Sequence, residues 1–108
     1  MTNIVLVHGA WDGAWCYRDC ARALRARGHS VFTPTLHGSG EYSHRAHGGI
    51  TLEDHIRDIV GVFEAEELSN VVLVGHSYGG MVITGVATSD SGGSGCLDRF
   101  LFGISGSA

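Results

Sequence analysis

Residues 71–81 read Val-Val-Leu-Val-Gly-His-Ser-Tyr-Gly-Gly-Met, and the order of residue types in this stretch decides the fold. Val71 to Val74 is an apolar run, mostly β-branched, which predicts a buried strand rather than a half-exposed one. The strand is expected to end at Gly75, where Gly75-His76-Ser77-Tyr78-Gly79 has the form Gly-x-Ser-x-Gly. A turn this tight between strand and helix leaves little room for side chains, hence the glycines at 75 and 79. It would lift the Ser77 hydroxyl onto the rim of a sheet, at the N-terminus of the next helix. There the helix dipole and free backbone N–H groups favour negative charge. Alone, the five residues also fit a plain glycine-rich turn. The strand before them and Met81-Val82-Ile83-Thr84-Gly85-Val86-Ala87 after them favour the strand–turn–helix reading, a nucleophile elbow.

Working outward, Ile4-Val5-Leu6-Val7 is a second buried-strand run, closed by His8-Gly9-Ala10-Trp11. Residues 13–27 predict a helix with Trp15, Ala23, Leu24 and Ala26 as its apolar positions and Gly28 as its stop. Arg22, Arg25 and Arg27 suit the negative end of that helix and need no ligand to explain them. Val31-Phe32-Thr33 predicts a short third strand ahead of the only proline, Pro34. Residues 35–49 are polar, hold His37, His44 and His47, and predict a mobile surface loop over the C-terminal edge of the sheet.

Thr51 and Asp54 have capping-box spacing. Leu52, His55, Ile56, Ile59, Val60 and Phe63 then mark one apolar helix face. Glu64, Glu66 and Glu67 stand at the end that the dipole disfavours, which predicts an exposed, frayed terminus. Strand and helix alternate three times, the signature of an α/β fold with a parallel sheet and right-handed connections.

With 108 residues the chain has room for one small core. A formal charge of −4 gives no footprint for nucleic acid or for an anionic membrane. The N-terminal residues lack a basic flank and a long apolar run, so neither a signal peptide nor a membrane span is expected, and a cytoplasmic location is. Cys16, Cys20 and Cys96 show no zinc spacing and are expected to be free thiols; no metal site is expected. Composition changes after Ala87. Residues 1–87 are expected to form the core, and 88–108 a Gly/Ser-rich tail whose one apolar patch, Phe100-Leu101-Phe102, could add an edge strand.

Residues 4–15 with their repeated Gly-Ala-Trp, residues 31–40, Asp54-His55-Ile56-Arg57-Asp58 and residues 71–87 together resemble the N-terminal half of α/β-hydrolases. The nearest branch is that of the small esterases related to hydroxynitrile lyases and methylesterases. The resemblance implies a truncated α/β-hydrolase core, a three-layer sandwich around a short, mainly parallel sheet. It implies Ser77 as nucleophile, the backbone N–H groups of Ala10 and Tyr78 as oxyanion donors, Gly75 and Gly79 as the elbow glycines, and no cofactor. Gly9 stands where the lyases carry a threonine that assists cyanohydrin cleavage, which favours ester hydrolysis.

The family takes its acid and histidine from later in the chain, in the order Ser, acid, His. Here no histidine follows Ser77, and the only later acids are Asp90 and Asp98. The tail is unlike the family, and a frameshift or truncation of the gene is one testable origin: codons for Asp90-Ser91-Gly92 read one base later can give Ile-Pro-Glu. The expected activity is weak hydrolysis of small esters through an acyl-enzyme on Ser77. The substitute base would come from His8, His37 or His76, with His37 preferred and the other two read as structural. The alternative is a non-catalytic fragment or small-ligand binding module. An unpaired apolar edge at Val71–Val74 further predicts a homodimer, with Phe100-Leu101-Phe102 pairing beside it within the chain or swapped between copies.

Overall fold

The computed structural model describes residues 2–88 and 97–103. Four strands are present there: β1 (Asn3–Val7), β2 (Ser30–Phe32), β3 (Val71–His76) and β4 (Leu97–Gly103). They form one parallel sheet in the order β2-β1-β3-β4, with Ile4 opposite both Val31 and Val72. The helices are α1 (Arg18–Ala26), α2 (Leu52–Ala65) and α3 (Tyr78–Ala87), and short 3-10 turns cover Ala14–Tyr17 and Gly40–Arg45.

Two-residue periodicity divides the apolar strand residues between two layers. Val5, Val7, Val71 and Leu73 face Ile59, Val60 and Phe63 of α2 and Val82, Ile83 and Val86 of α3. Ile4, Leu6 and Val31 face the opposite way, against Ala21 and Leu24 of α1. Fully burying one such side chain contributes roughly 1.5–3 kcal/mol. The α2/α3 layer holds twelve buried residues against four on the α1 side, so it carries most of the core. The resulting helix–sheet–helix sandwich is the architecture expected from the chain's pattern.

Several details differ from the expectations. Val72 and Val74 are only half-buried, because their face of the sheet has the cover of α1 alone; β3 is therefore not the doubly buried strand that its composition suggests. The strand also runs past Gly75 to His76. The first helix begins as a 3-10 turn, and Ala21 is its buried residue, while Trp15, Ala23 and Ala26 are exposed. Gly28, at φ +91°, ends it as expected: the Gly28 and His29 N–H groups donate to the Arg25 and Leu24 carbonyls, the Schellman pattern.

The capping box at Thr51 and Asp54 forms with both of its hydrogen bonds. The far end of α2 is not frayed. Glu67 adopts φ +52°, its N–H and that of Leu68 donate to Glu64 and Phe63, and Leu68 inserts into the core. Apolar anchoring thus outweighs the unfavourable dipole placement of the glutamates. Residues 35–49 are likewise organised, around the 3-10 turn and several hydrogen bonds described below.

The outer edge of β3 is paired within the same chain. Leu73, Val74 and Gly75 lie opposite Phe100, Leu101 and Phe102 of β4, in parallel register. The unpaired edge expected at Val71–Val74 is therefore absent, and with it that reason for a second copy. Residues 89–96, including Asp90 and Cys96, lie outside the described residues.

Candidate active site

β3 passes to α3 through one residue. Ser77 sits between them at φ +56° and ψ −119°, a left-handed conformation that a non-glycine residue adopts only where its surroundings impose it. The two neighbouring glycines explain how. A β-carbon at Gly75 would lie 2.5 Å from the Gly79 carbonyl oxygen and 2.8 Å from the Gly80 nitrogen. One at Gly79 would collide with the Val7 carbonyl oxygen and lie 2.7 Å from that of His8. The elbow is thus pressed against itself and against the end of β1, and neither position has space for a side chain.

The loop after β1 meets the elbow directly. A β-carbon at Gly9 would lie 3.3 Å from the Ser77 β-carbon and 3.1 Å from the His76 carbonyl oxygen. Gly9 to Asp12 form a turn closed by the Asp12 N–H on the Gly9 carbonyl at 3.3 Å, with Trp11 at φ +69° and almost fully exposed. Beside the elbow lies a cavity of about 500 Å³, mostly apolar, whose walls include Gly9, Ala10, Leu36, Ala46, His55 and Tyr78. A larger hollow of about 600 Å³, lined by Trp15 and three arginines of α1, shares no residue with this cavity or the elbow and lies away from the chemistry.

Histidines organise the cavity walls. His8 is fully buried; its Nδ1–H donates to the Gly9 carbonyl at 2.7 Å and its Nε2 accepts the Leu36 N–H at 2.9 Å. Those partners require the neutral Nδ1–H tautomer. Burial pushes the His8 pKa down, outweighing the opposing pull of the Gly9 carbonyl and Asp12. His8 therefore braces two loops and has no free nitrogen with which to act as a base.

His55, from α2, takes the opposite tautomer. Its Nε2 lies 3.0 Å from the His37 carbonyl and can only donate there, leaving Nδ1 to accept from the Tyr78 hydroxyl at 2.7 Å. The His55 and Tyr78 rings meet edge to face, with centroids 5.5 Å apart. Burial raises the Tyr78 pKa, so the phenol stays protonated and able to donate.

The expected site residues are brought together unevenly. Ser77, Gly75, Gly79, Tyr78, Gly9 and Ala10 form one constellation. His37 stands on the loop after β2. Its N–H donates to Asp58 at 2.7 Å and its carbonyl accepts from His55, while its exposed ring lies edge-on to His47 at 6.2 Å. His76 packs its ring against Gly9. Among the described residues, the Ser77 hydroxyl has no hydrogen-bond partner. His55 was not foreseen as a site residue. The signal was a histidine on an otherwise apolar helix face, since a polar group placed there must find a partner.

The pattern of the alpha/beta hydrolase family matches residues 4–106. The chain belongs to that family. This α/β-hydrolase is 66% identical over 87 residues to a carbendazim hydrolyzing esterase of Nocardioides sp. (strain SG-4G), an alignment that takes in 81% of the chain and 36% of that protein. It is 38% identical over 80 residues to methylesterase 10 of Arabidopsis thaliana, covering 73% of the chain and 29% of the relative. Among solved structures, an extracellular alpha/beta-hydrolase from a Paenibacillus species superposes with a TM-score of 0.83 at 30% identity, over 94% of the chain and 40% of that structure. The chain thus spans about a third of the length of these two curated relatives, both named esterases. No helix among the described residues is long and apolar enough to cross a membrane.

Proposed function

We propose that this α/β-hydrolase chain is a serine carboxylic-ester hydrolase of low turnover, acting on small esters. Ser77 Oγ attacks the ester carbonyl carbon, and the carbonyl oxygen takes up the charge between the backbone N–H groups of Ala10 and Tyr78. Collapse expels the alcohol, which takes the proton that the base received from Ser77. Water then cleaves the acyl-serine, releasing the carboxylic acid and restoring the hydroxyl. No cofactor enters this scheme.

The observation that carries the proposal is the strained Ser77 backbone at the head of α3, held between Gly9 and Gly79 beside an apolar cavity. Esterase relatives at 66% and 38% identity support the same chemistry. Low turnover is proposed because the Ser77 hydroxyl has no base within hydrogen-bonding reach among the described residues. Sites deprived of their triad partners still retain about 10³–10⁴-fold catalysis over water from oxyanion hole and binding. His37 is the proposed base only once its exposed ring swings away from His47 toward Ser77, which its fixed backbone N–H and C=O permit, and that need for movement is consistent with low turnover.

A fluorophosphonate probe should label the parent protein and fail to label Ser77→Ala, whose p-nitrophenyl acetate hydrolysis should fall to background. Hydrolysis continuing at the parent rate would remove Ser77 as nucleophile. His37→Ala should lower the rate of Ser77 acylation, and an unchanged rate would remove His37 as base. The second reading, a non-catalytic fragment or small-ligand binding module, is favoured by the absence of a partner for the Ser77 hydroxyl among the described residues and would follow from an unlabelled parent. A homodimer is also part of the proposal, with the Phe100-Leu101-Phe102 strand exchanged between copies beside Val71–Val74 in place of its pairing within one chain. Light scattering at twice the chain mass tests it, and a monomer mass at micromolar concentration rejects it.

A further inference from the structure

We infer that His55 is a positioning residue for the elbow: through Tyr78 it holds the start of α3, and through the His37 carbonyl it ties that start to the loop walling the cavity. The inference rests on the esterase reading and extends it to a residue outside the nucleophile and oxyanion set.

The geometry forms one continuous strut. The Asp58 carboxylate accepts the His37 N–H at 2.7 Å, the His37 carbonyl accepts the His55 Nε2–H at 3.0 Å, and His55 Nδ1 accepts the Tyr78 hydroxyl at 2.7 Å. Two of the links join α2 to the loop after β2, and the third joins α2 to α3. Because Nε2 must donate to a carbonyl, the tautomer is determined, and Nδ1 is left as an acceptor facing a phenol that can only usefully donate. The direction of every hydrogen bond in the strut is therefore set.

Its anchor point is significant. Tyr78 directly follows Ser77, whose φ of +56° costs energy that persists only where neighbouring structure over-determines the backbone. Gly79 presses the elbow onto β1 on one side. His55 restrains Tyr78 through its hydroxyl in the wall of a mostly apolar cavity, where an unmade hydrogen bond is costly. A side chain fixed at both ends of such a strut keeps the Tyr78 N–H aimed where oxyanion charge would develop.

The test is a double-mutant cycle of His55→Leu and Tyr78→Phe, with His55→Asn as the conservative variant, since its amide oxygen can take the place of Nδ1. Labelling by a fluorophosphonate is followed against probe concentration. Each single change should lower the maximal labelling rate about 10-fold, the scale of one lost hydrogen bond, with half-saturation unchanged. The double variant should also fall about 10-fold rather than about 100-fold, because one interaction is being removed twice. His55→Asn should recover part of the rate. Multiplying effects, or a change confined to half-saturation, would overturn the inference.

Imidazole nitrogen NMR supplies an arm that does not depend on Ser77 chemistry. The parent should show His55 as the Nε2–H tautomer, and Tyr78→Phe should shift its Nδ1 resonance. An Nδ1–H tautomer, or a resonance indifferent to Tyr78→Phe, would refute the strut. If the parent is not labelled at all, the esterase reading fails and the NMR result alone decides whether His55 holds Tyr78.

Discussion

Replacing Gly79 by alanine and replacing Gly61 by alanine are the same chemical change at two helical positions, and the structure assigns them opposite signs. Around Gly61, in α2, a new β-carbon would meet nothing within 4 Å. Alanine is the better helix former by about 1 kcal/mol, so Gly61→Ala should stabilise by up to that amount. At Gly79, in the first turn of α3, the same methyl would collide with the Val7 carbonyl oxygen and stand 2.7 Å from the His8 carbonyl oxygen. These are main-chain atoms at the end of a buried central strand, so no side chain can swing aside. Overpacking of this kind costs about 1–3 kcal/mol, and rigid partners place it at the upper end. Even after the helix-propensity gain, a net loss of about 2 kcal/mol remains. For a domain near this size each kcal/mol moves the unfolding midpoint by roughly 4–8 °C. Thermal unfolding followed by far-UV circular dichroism should therefore lower the Gly79→Ala midpoint by about 10 °C and raise that of Gly61→Ala by about 5 °C. A Gly79→Ala protein as stable as the parent would show that the elbow does not lie against β1, and the oxyanion constellation built on that contact would fall with it.

The remaining predictions concern other parts of the same frame. His8 is held neutral by burial, with its folded pKa depressed below an unfolded value of about 6.5. Its stabilisation is therefore complete above about pH 6.5 and declines as the pH falls below that, by up to about 1.4 kcal/mol per pH unit until the folded pKa is passed. Denaturant titrations at pH 7.5 and 5.5 should show this decline, and a decline of equal size in His8→Asn would assign it to other groups. Glu67 closes α2 at φ +52°, so Glu67→Gly should stabilise by about 1 kcal/mol; a lowered unfolding midpoint would contradict that. Ala10 occupies the second position of the Gly9–Asp12 turn, where proline is well tolerated. Ala10→Pro should thus preserve the circular dichroism spectrum while lowering Ser77 acylation by about 10²–10³, the usual effect of losing one oxyanion donor. An unaltered labelling rate would mean that the Ala10 N–H is not such a donor.

The elbow, the strands and the caps at Thr51 and Gly28 were legible in the sequence because each depends on residues that are close along the chain. Glycines two positions either side of a serine, a threonine three residues before an aspartate, and a run of β-branched residues carry their conformational meaning locally. What was not legible depends on contacts across the fold. His55 occupies an apolar-face position of α2, and helical periodicity reports the face but not the partner; that Tyr78 and the His37 carbonyl would converge on it is decided by how α2, α3 and the loop after β2 pack. The same holds for His8, whose bracing role follows from the Leu36 N–H twenty-eight residues away. Val72 and Val74 read as fully buried, yet their burial depends on how many helices cover that face, which composition does not encode. The glutamates ending α2 pointed to fraying, and the insertion of Leu68 into the core reversed that outcome. Gly79 shows the division within one residue. Its pattern announces a tight turn, but the reason no side chain fits there is the end of β1, which only the assembled sheet brings against it.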